Sequence, residues 1–269
     1  MLELKNLSVG YDDRYVIRNV DLSFEPGNIY TIVGKNGSGK STLLKSCSGL
    51  LTPKVGSVLL DGEELSKYPA NQRAQKVSYL SQSTNTPNIT VERLLAHARF
   101  PHLSYPKKLR QEDFNIIYRA LGDMKASCFA HDSLRELSGG ERQRVYLAMQ
   151  LAQDTPILLL DEPTTYLDIE YQLSLMELLQ KLKEQGKTII MVLHDLEQVL
   201  KYSDQIIAID AGKEIYTGTP EEILNNGTLK KIFHVDVQRS DYRFELKNPA
   251  AVSSEAIITV FGNSSCRSR

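Results

Sequence analysis

The chain has 269 residues, 41% of them hydrophobic, with a formal net charge of −1 from 32 basic and 33 acidic side chains. This length suits one large domain, or one domain with a subdomain, and the near-neutral balance argues against nucleic acid as a partner. No stretch approaches the roughly 20 apolar residues that span a bilayer, and Met1 to Asn6 alternates polar and apolar without the apolar centre of a signal peptide.

Leu2, Leu4, Leu7 and Val9 suggest a first strand with a slip in strict alternation, and Val20, Leu22 and Phe24 a second, before a Pro26-Gly27 turn. Between the strands stands Tyr11. It is read either as an ordinary hairpin aromatic or as a platform for a purine ring. Ile29 to Val33 is a short β-branched run, as in a buried strand.

Gly34-Lys35-Asn36-Gly37-Ser38-Gly39-Lys40-Ser41-Thr42 follows and fits G-x-x-x-x-G-K-[ST]. Glycines let such a loop curl until several backbone N–H groups converge on a phosphate chain, and the next helix adds its positive N-terminal end. Lys40 reaches terminal phosphates in this pattern, and the Ser41 hydroxyl suits Mg²⁺. Ser41 to Leu50 reads as that helix, with Leu43, Leu44 and Cys47 on one face.

Gly56 to Gly62 reads as a strand closing in an Asp-Gly turn. Lys76 to Leu80 is another, and it delivers Gln82. From Ser83 to about Leu134 the strand-like runs stop. Thr90 is placed to cap one helix, and Phe114, Ile117, Tyr118 and Leu121 have helical spacing. This is an inserted helical subdomain, assigned to residues 83–136. Arg99-Phe100-Pro101-His102 is assigned to a surface loop, with a partner-facing role as the sharper alternative.

Ser138 and Glu141 in Leu137-Ser138-Gly139-Gly140-Glu141 fit a capping box. The run is either a well-capped helix start or a second place where backbone donors meet phosphate. Ile157 to Leu160 is fully apolar, as in a strand covered on both faces, and ends in Asp161-Glu162-Pro163. Two acids at such a strand end are costly unless they bind something. Asp161 then suits Mg²⁺, and Glu162 suits polarising an attacking water.

Ile169 to Glu184 reads as an amphipathic helix and Thr188 to Leu193 as a buried strand delivering His194. Gln205 to Ile209 and Glu214 to Thr217 are further strands, and Pro220 opens a helix. Tyr242 to Leu246 and Ala256 to Phe261 are short β-like runs in a C-terminal extension, residues 241–269. His97, His102 and His131 show no metal spacing. Cys47, Cys128 and Cys266 show no disulfide framework, which points to a reducing cytosol.

Taken together, residues 34–42, Gln82, Leu137 to Glu141, Ile157 to Pro163 and His194 resemble the nucleotide-binding subunit of an ATP-binding-cassette (ABC) transporter over about residues 1 to 235. The resemblance implies an α/β fold: a P-loop NTPase core with a mostly parallel sheet, an N-terminal antiparallel β subdomain and the inserted helical subdomain, with the ATPase domain at 1–240. It implies ATP as substrate and Mg²⁺ held by Ser41, Asp161 and Gln82. Tyr11 would stack on adenine, and residues 34–42 would cradle the phosphates. Glu162, His194, Gln82 and Lys40 would be catalytic. Ser138, Gly139 and Gly140 would bind the γ-phosphate held by a second copy, and Asp168 would reach across that head-to-tail interface. The expected place is the cytoplasmic face of the membrane, beside integral permease subunits and, indirectly, a substrate-binding protein.

A narrower resemblance rests on residues 151–155, 164–169 and 192–196, and on Arg99 to His102, although Ala98 stands where a glycine is common. It points to the branch importing iron-siderophore complexes, haem and cobalamin. The alternative is a soluble ABC ATPase acting on DNA or ribosomes. Those carry a long coiled coil or two cassettes in one chain, and neither is present here.

Overall fold

In a computed structural model of the chain, residues 1–82, 86–210 and 214–234 are described. The assigned extension, 241–269, lies outside them. A four-stranded antiparallel sheet runs in the order β2-β1-β4-β5, built from β1 (Leu2–Tyr11), β2 (Arg14–Phe24), β4 (Val55–Leu60) and β5 (Glu63–Glu64). A six-stranded sheet runs β10-β9-β3-β8-β7-β6. Its strands are β3 (Ile29–Gly34), β6 (Val77–Leu80), β7 (Ile157–Asp161), β8 (Thr188–Val192), β9 (Gln205–Asp210) and β10 (Glu214–Gly218). All its pairs are parallel except β9 with β10.

The slip in the first strand has a structural cause. The β1–β2 register shifts between Leu4 and Leu7, and Asn6 takes a positive φ of 47°. The bulge resets alternation, so Leu2, Leu4, Leu7 and Val9 all stay buried.

The apolar strands of the larger sheet divide their side chains by period two between two cores. Leu158, Leu160, Ile189 and Met191 enter one core, with the helices α3 (Val91–Arg99), α4 (Gln111–Asp123), α5 (Gly139–Gln153) and α6 (Ile169–Glu184). Ile157, Leu159, Ile190 and Val192 enter the other. There α1 (Lys40–Cys47) lies among side chains of both sheets through Leu43, Leu44 and Cys47. Each buried leucine contributes about 1.5–3 kcal/mol, so α1 holds the end of the loop before it in place while residues 35–37 stay exposed. Burial pushes the Cys47 thiol up to about 12, which leaves it an inert core group.

Three short helices escape the sequence reading: α2 (Ala70–Lys76), α7 (Leu196–Tyr202) and α9 (Thr228–Phe233), the last following α8 (Pro220–Asn225). Each is only six or seven residues long and shows little periodicity, so tertiary packing rather than pattern defines it.

One expectation is corrected. Arg99 is not on a surface loop. It ends α3 and is buried at 7% exposure. Its Nε donates to Asp113 Oδ1 at 3.0 Å and its guanidinium also to the Ala152 carbonyl at 2.9 Å. The His102 ring bonds the Gln153 carbonyl at 2.8 Å. Arg99 and His102 thus tie the end of α3 and the turn after it to α4 and α5, while Phe100 between them stays 41% exposed. Thr90 does sit at the N-cap of α3, but its side chain makes no capping hydrogen bond.

Candidate nucleotide site

The site begins where β3 stops. Gly34 leaves no room for a side chain, since a Cβ there would lie 2.5 Å from the Ile209 carbonyl oxygen. Gly39 turns the chain into α1 at a φ of 107°, a conformation that L side chains rarely adopt. Between them the loop curls around a cavity of 600 Å³, walled by Asn36, Gly37, Gly39, Lys40, Ser41 and Thr42 on one side and by Gln82, Glu162 and His194 on the others. Parallel pairing of β3 with β8, and of β8 with β7, brings these strand ends together. Val16 of β2 also reaches the cavity. Sequence reasoning missed it, because nothing in the β2 pattern marks which side chain overhangs a loop.

Lys40 folds back over the loop. Its ammonium donates to the Gly34 carbonyl at 2.9 Å and to the Lys35 carbonyl at 3.1 Å. Burial holds its pKa below the usual lysine range, opposed by the charges of Glu162 and Asp161. The Ser38 hydroxyl is buried without a hydrogen-bond partner. A buried donor left open in a ring of glycines fits an anionic ligand.

Asp161 is 2% exposed, and its Oδ1 has no partner. The Tyr79 hydroxyl donates to Oδ2 at 3.3 Å. Burial, joined by the Glu162 charge, pushes the Asp161 carboxyl above its ordinary value, although Ser41 and Tyr79 act in the opposite direction. An orphaned carboxylate oxygen beside a serine hydroxyl, with a glutamine on the same cavity wall, is an oxygen donor set that fits a hard divalent cation. Because the folded state holds this proton more tightly than the unfolded chain, the group destabilises the ligand-free fold once pH rises above the unfolded value. Asp161→Asn is therefore expected to raise the melting temperature of the ligand-free protein at pH 7, with the gain fading toward pH 4, while removing turnover. Calorimetry of both proteins at the two pH values tests this, and a lower melting temperature for the variant at pH 7 contradicts it.

Glu162 has a φ of 54°, which a non-glycine residue adopts at a cost of order 1–3 kcal/mol. The turn places its carboxylate on the cavity wall. His194 Nε2 donates to Glu162 Oε1 at 2.6 Å, and the Thr165 hydroxyl lies 3.4 Å from Oε2. Tyr11 is 46% exposed at the end of β1, outside the cavity wall.

Ser138, Gly139, Gly140 and Asp168 are not in the cavity. Ser138 caps α5 through the predicted box: Glu141 N–H donates to its hydroxyl, and Ser138 N–H to the Glu141 carboxylate at 2.7 Å. Asp168 caps α6 by accepting from the Tyr171 N–H at 3.0 Å. The two caps form one patch. A Cβ on Gly140 would meet the Tyr166 carbonyl oxygen at 2.9 Å, and Gly139 faces the Tyr166 ring. Tyr166 is 74% exposed with a φ of 67°. The turn from Glu162 to Asp168 thus joins cavity to patch. Side-chain amides brace it, from Gln143 to the Pro163 carbonyl at 3.0 Å and from Gln172 to the Leu167 carbonyl at 2.9 Å.

A glycine loop between a buried strand and a helix, with paired acids and a histidine at adjacent strand ends, defines the class: a phosphate-loop nucleotide hydrolase. The chain belongs to the ABC transporter family, whose profile matches residues 17–165. It is 41% identical over 239 residues to the iron(3+)-hydroxamate import ATP-binding protein FhuC of Bacillus subtilis, covering 88% of this chain and 89% of that one. It is also 41% identical over 231 residues to the ferric enterobactin transport ATP-binding protein FepC of Escherichia coli, covering 85% of each. The dimeric structure of MJ0796, a bacterial ABC transporter cassette, matches with a TM-score of 0.74 at 29% identity, over 82% of this chain and 99% of that one. A structure of the same cassette holds ADP and Pi after hydrolysis. The chain is accordingly an ATP-binding and ATP-hydrolysing subunit, and among its described residues no helix is long and apolar enough to cross a membrane.

Proposed function

We propose that two copies of this chain, facing head to tail, power an importer for an iron-siderophore or related chelate such as haem or cobalamin. The observation carrying the dimer is the separation of the two caps, Ser138 and Asp168, from the cavity that holds Lys40 and Glu162. One chain offers a phosphate cradle and, elsewhere, an outward-facing serine-capped helix start beside two glycines. Joined to a second copy, each cradle gains the missing lid.

In this reading the backbone and Ser38 hold the ATP phosphates, Lys40 turns from the loop carbonyls to the terminal phosphates, and Tyr11 stacks on adenine. Ser41, Asp161 and Gln82 would hold Mg²⁺, which when bound neutralises developing charge on the phosphates. His194 leaves Glu162 for the γ-phosphate, which frees the Glu162 carboxylate to orient and polarise the attacking water. Ser138, Gly139 and Gly140 of the second copy close on that phosphate, with Asp168 across the interface. Once hydrolysis removes those contacts the copies part. The helical subdomain, 83–136 within an ATPase domain of 1–240, passes this motion to integral permease subunits at the cytoplasmic face of the membrane. A substrate-binding protein delivers cargo from outside.

The importer reading is supported by the relatives, which are named for hydroxamate and enterobactin systems. A tagged chain extracted from membranes in mild detergent should retain a multi-span permease, and vesicles made with that permease should take up a ferric hydroxamate only with ATP. Recovery with ribosomes or DNA, and no permease, contradicts the proposal.

A further inference from the structure

The turn from Glu162 to Asp168 is held in an unfavourable shape. Glu162 and Tyr166 both take a positive φ, 54° and 67°. The turn's own backbone bonds, from Thr165 N–H to the Glu162 carbonyl and from Leu167 N–H to the Thr164 carbonyl, are 3.2 Å each. Strained backbone persists only where its surroundings fix it. Gln172 supplies part of that support from the first turn of α6, four residues past Asp168. Its Nε2 donates to the Leu167 carbonyl at 2.9 Å and lies 3.4 Å from the Thr164 carbonyl.

Backbone carbonyls only accept, so the Gln172 amide has one orientation, with Nε2 toward the turn and Oε1 away from it. Oε1 in turn accepts from Gln198 Nε2 at 2.9 Å. That fixes Gln198 as well, since only its nitrogen can donate. The Gln198 Oε1 is then left buried with no hydrogen-bond partner, a cost that the direction of the chain of amides explains. Gln198 is 8% exposed and sits in the first turn of α7, four residues past His194. The turn is therefore joined to the His194 segment twice. His194 meets Glu162 at 2.6 Å on the cavity wall, and the amide relay joins the turn's far end to α7.

We propose that Gln172 and Gln198 are positioning residues for ATP hydrolysis. Neither lines the ATP cavity. They act through the turn: the relay sets its spacing from α7, and so sets where the Glu162 carboxylate stands relative to His194. The inference rests on the reading of Glu162 as the group that polarises the attacking water.

The test is a double-substitution cycle of steady-state ATP hydrolysis on the full chain, with Glu162→Gln as the control. Gln198→Leu keeps a similar volume while removing both the donor and the stranded acceptor. It should lower kcat about tenfold, because a small misplacement of a catalytic group is costly. KM for ATP should be unchanged, and the melting temperature should stay at the parent's value or rise. Gln172→Leu should lower kcat at least as far, and the double variant no further than Gln172→Leu alone, since a relay is lost once either member is gone. Parental kcat in Gln198→Leu, or losses that multiply in the double variant, overturns the proposal while Glu162→Gln stays inactive. So does a loss of kcat that comes with a lower melting temperature or a higher KM in Gln198→Leu. An active Glu162→Gln overturns the reading of Glu162 and this proposal with it. Should Gln172→Leu fail to fold, the kcat, KM and melting temperature of Gln198→Leu still decide the matter.

Discussion

Glu162→Gln is expected to leave ATP binding intact and to reduce turnover by about 10²–10⁴-fold, the range of a positioned general base. The substitution is nearly isosteric, so the left-handed turn at residue 162 and its place on the cavity wall are retained. What disappears is the anionic oxygen that now accepts from His194 at 2.6 Å and that, once released, polarises water. On the proposal that hydrolysis parts the two copies, the variant should accumulate as an ATP-bound dimer. Single-turnover hydrolysis measured beside light scattering tests both halves. Turnover at the unaltered rate would refute the role given to this carboxylate.

The largest effect on stability is expected away from the nucleotide. Arg99→Ala removes one member of a buried pair whose side chains are 8% and 9% exposed. Breaking such a pair from one side costs about 3–5 kcal/mol, because the remaining charge is stranded. For a chain of this size that corresponds to a melting temperature about 10 °C lower. The pH dependence follows from Asp113. Burial acts to raise its carboxyl, but the Arg110 N–H, which donates to Oδ2 at 3.0 Å, and the Arg99 guanidinium together hold it below its usual value. A depressed folded value gives stability that is fully present above the unfolded value, about 3.9, and that is lost as pH falls through the folded one. The deficit of Arg99→Ala should therefore be widest near neutrality and narrow below about pH 4, where Asp113 can protonate. Adding Asp113→Asn should recover part of it. Thermal melts across pH measure this, and a deficit independent of pH would show that packing alone accounts for Arg99.

Much of the site could be read from the chain because its chemistry is local. The run from Gly34 to Thr42 states its own geometry, and Ile157 to Leu160 announces a doubly covered strand that must end in something worth the cost of two acids. Ser138 and Glu141 specify their capping box within four positions. What the chain does not state is pairing at a distance. Tyr79 and Asp161 meet only because β6 and β7 run parallel. Val16 enters the cavity because one sheet overhangs the other's loop. Arg99 carries a charge that favours a surface reading, and only the fold supplies Asp113 and the Ala152 carbonyl that make its burial tolerable. The same limit applies to Ser138 and Asp168. Their neighbours within one chain are now visible, while the ligand proposed for them belongs to a second copy.

That proposal has a direct measurement. A Lys40→Ala chain has a damaged cradle and an intact cap, and a Ser138→Arg chain has the reverse; each alone should hydrolyse ATP at background rate. When the two are mixed in equal amounts, activity should return, because a mixed pair assembles one complete site from the intact halves. No recovery on mixing, with each variant folded, or full activity from the Ser138→Arg chain by itself, would contradict a site shared between two copies.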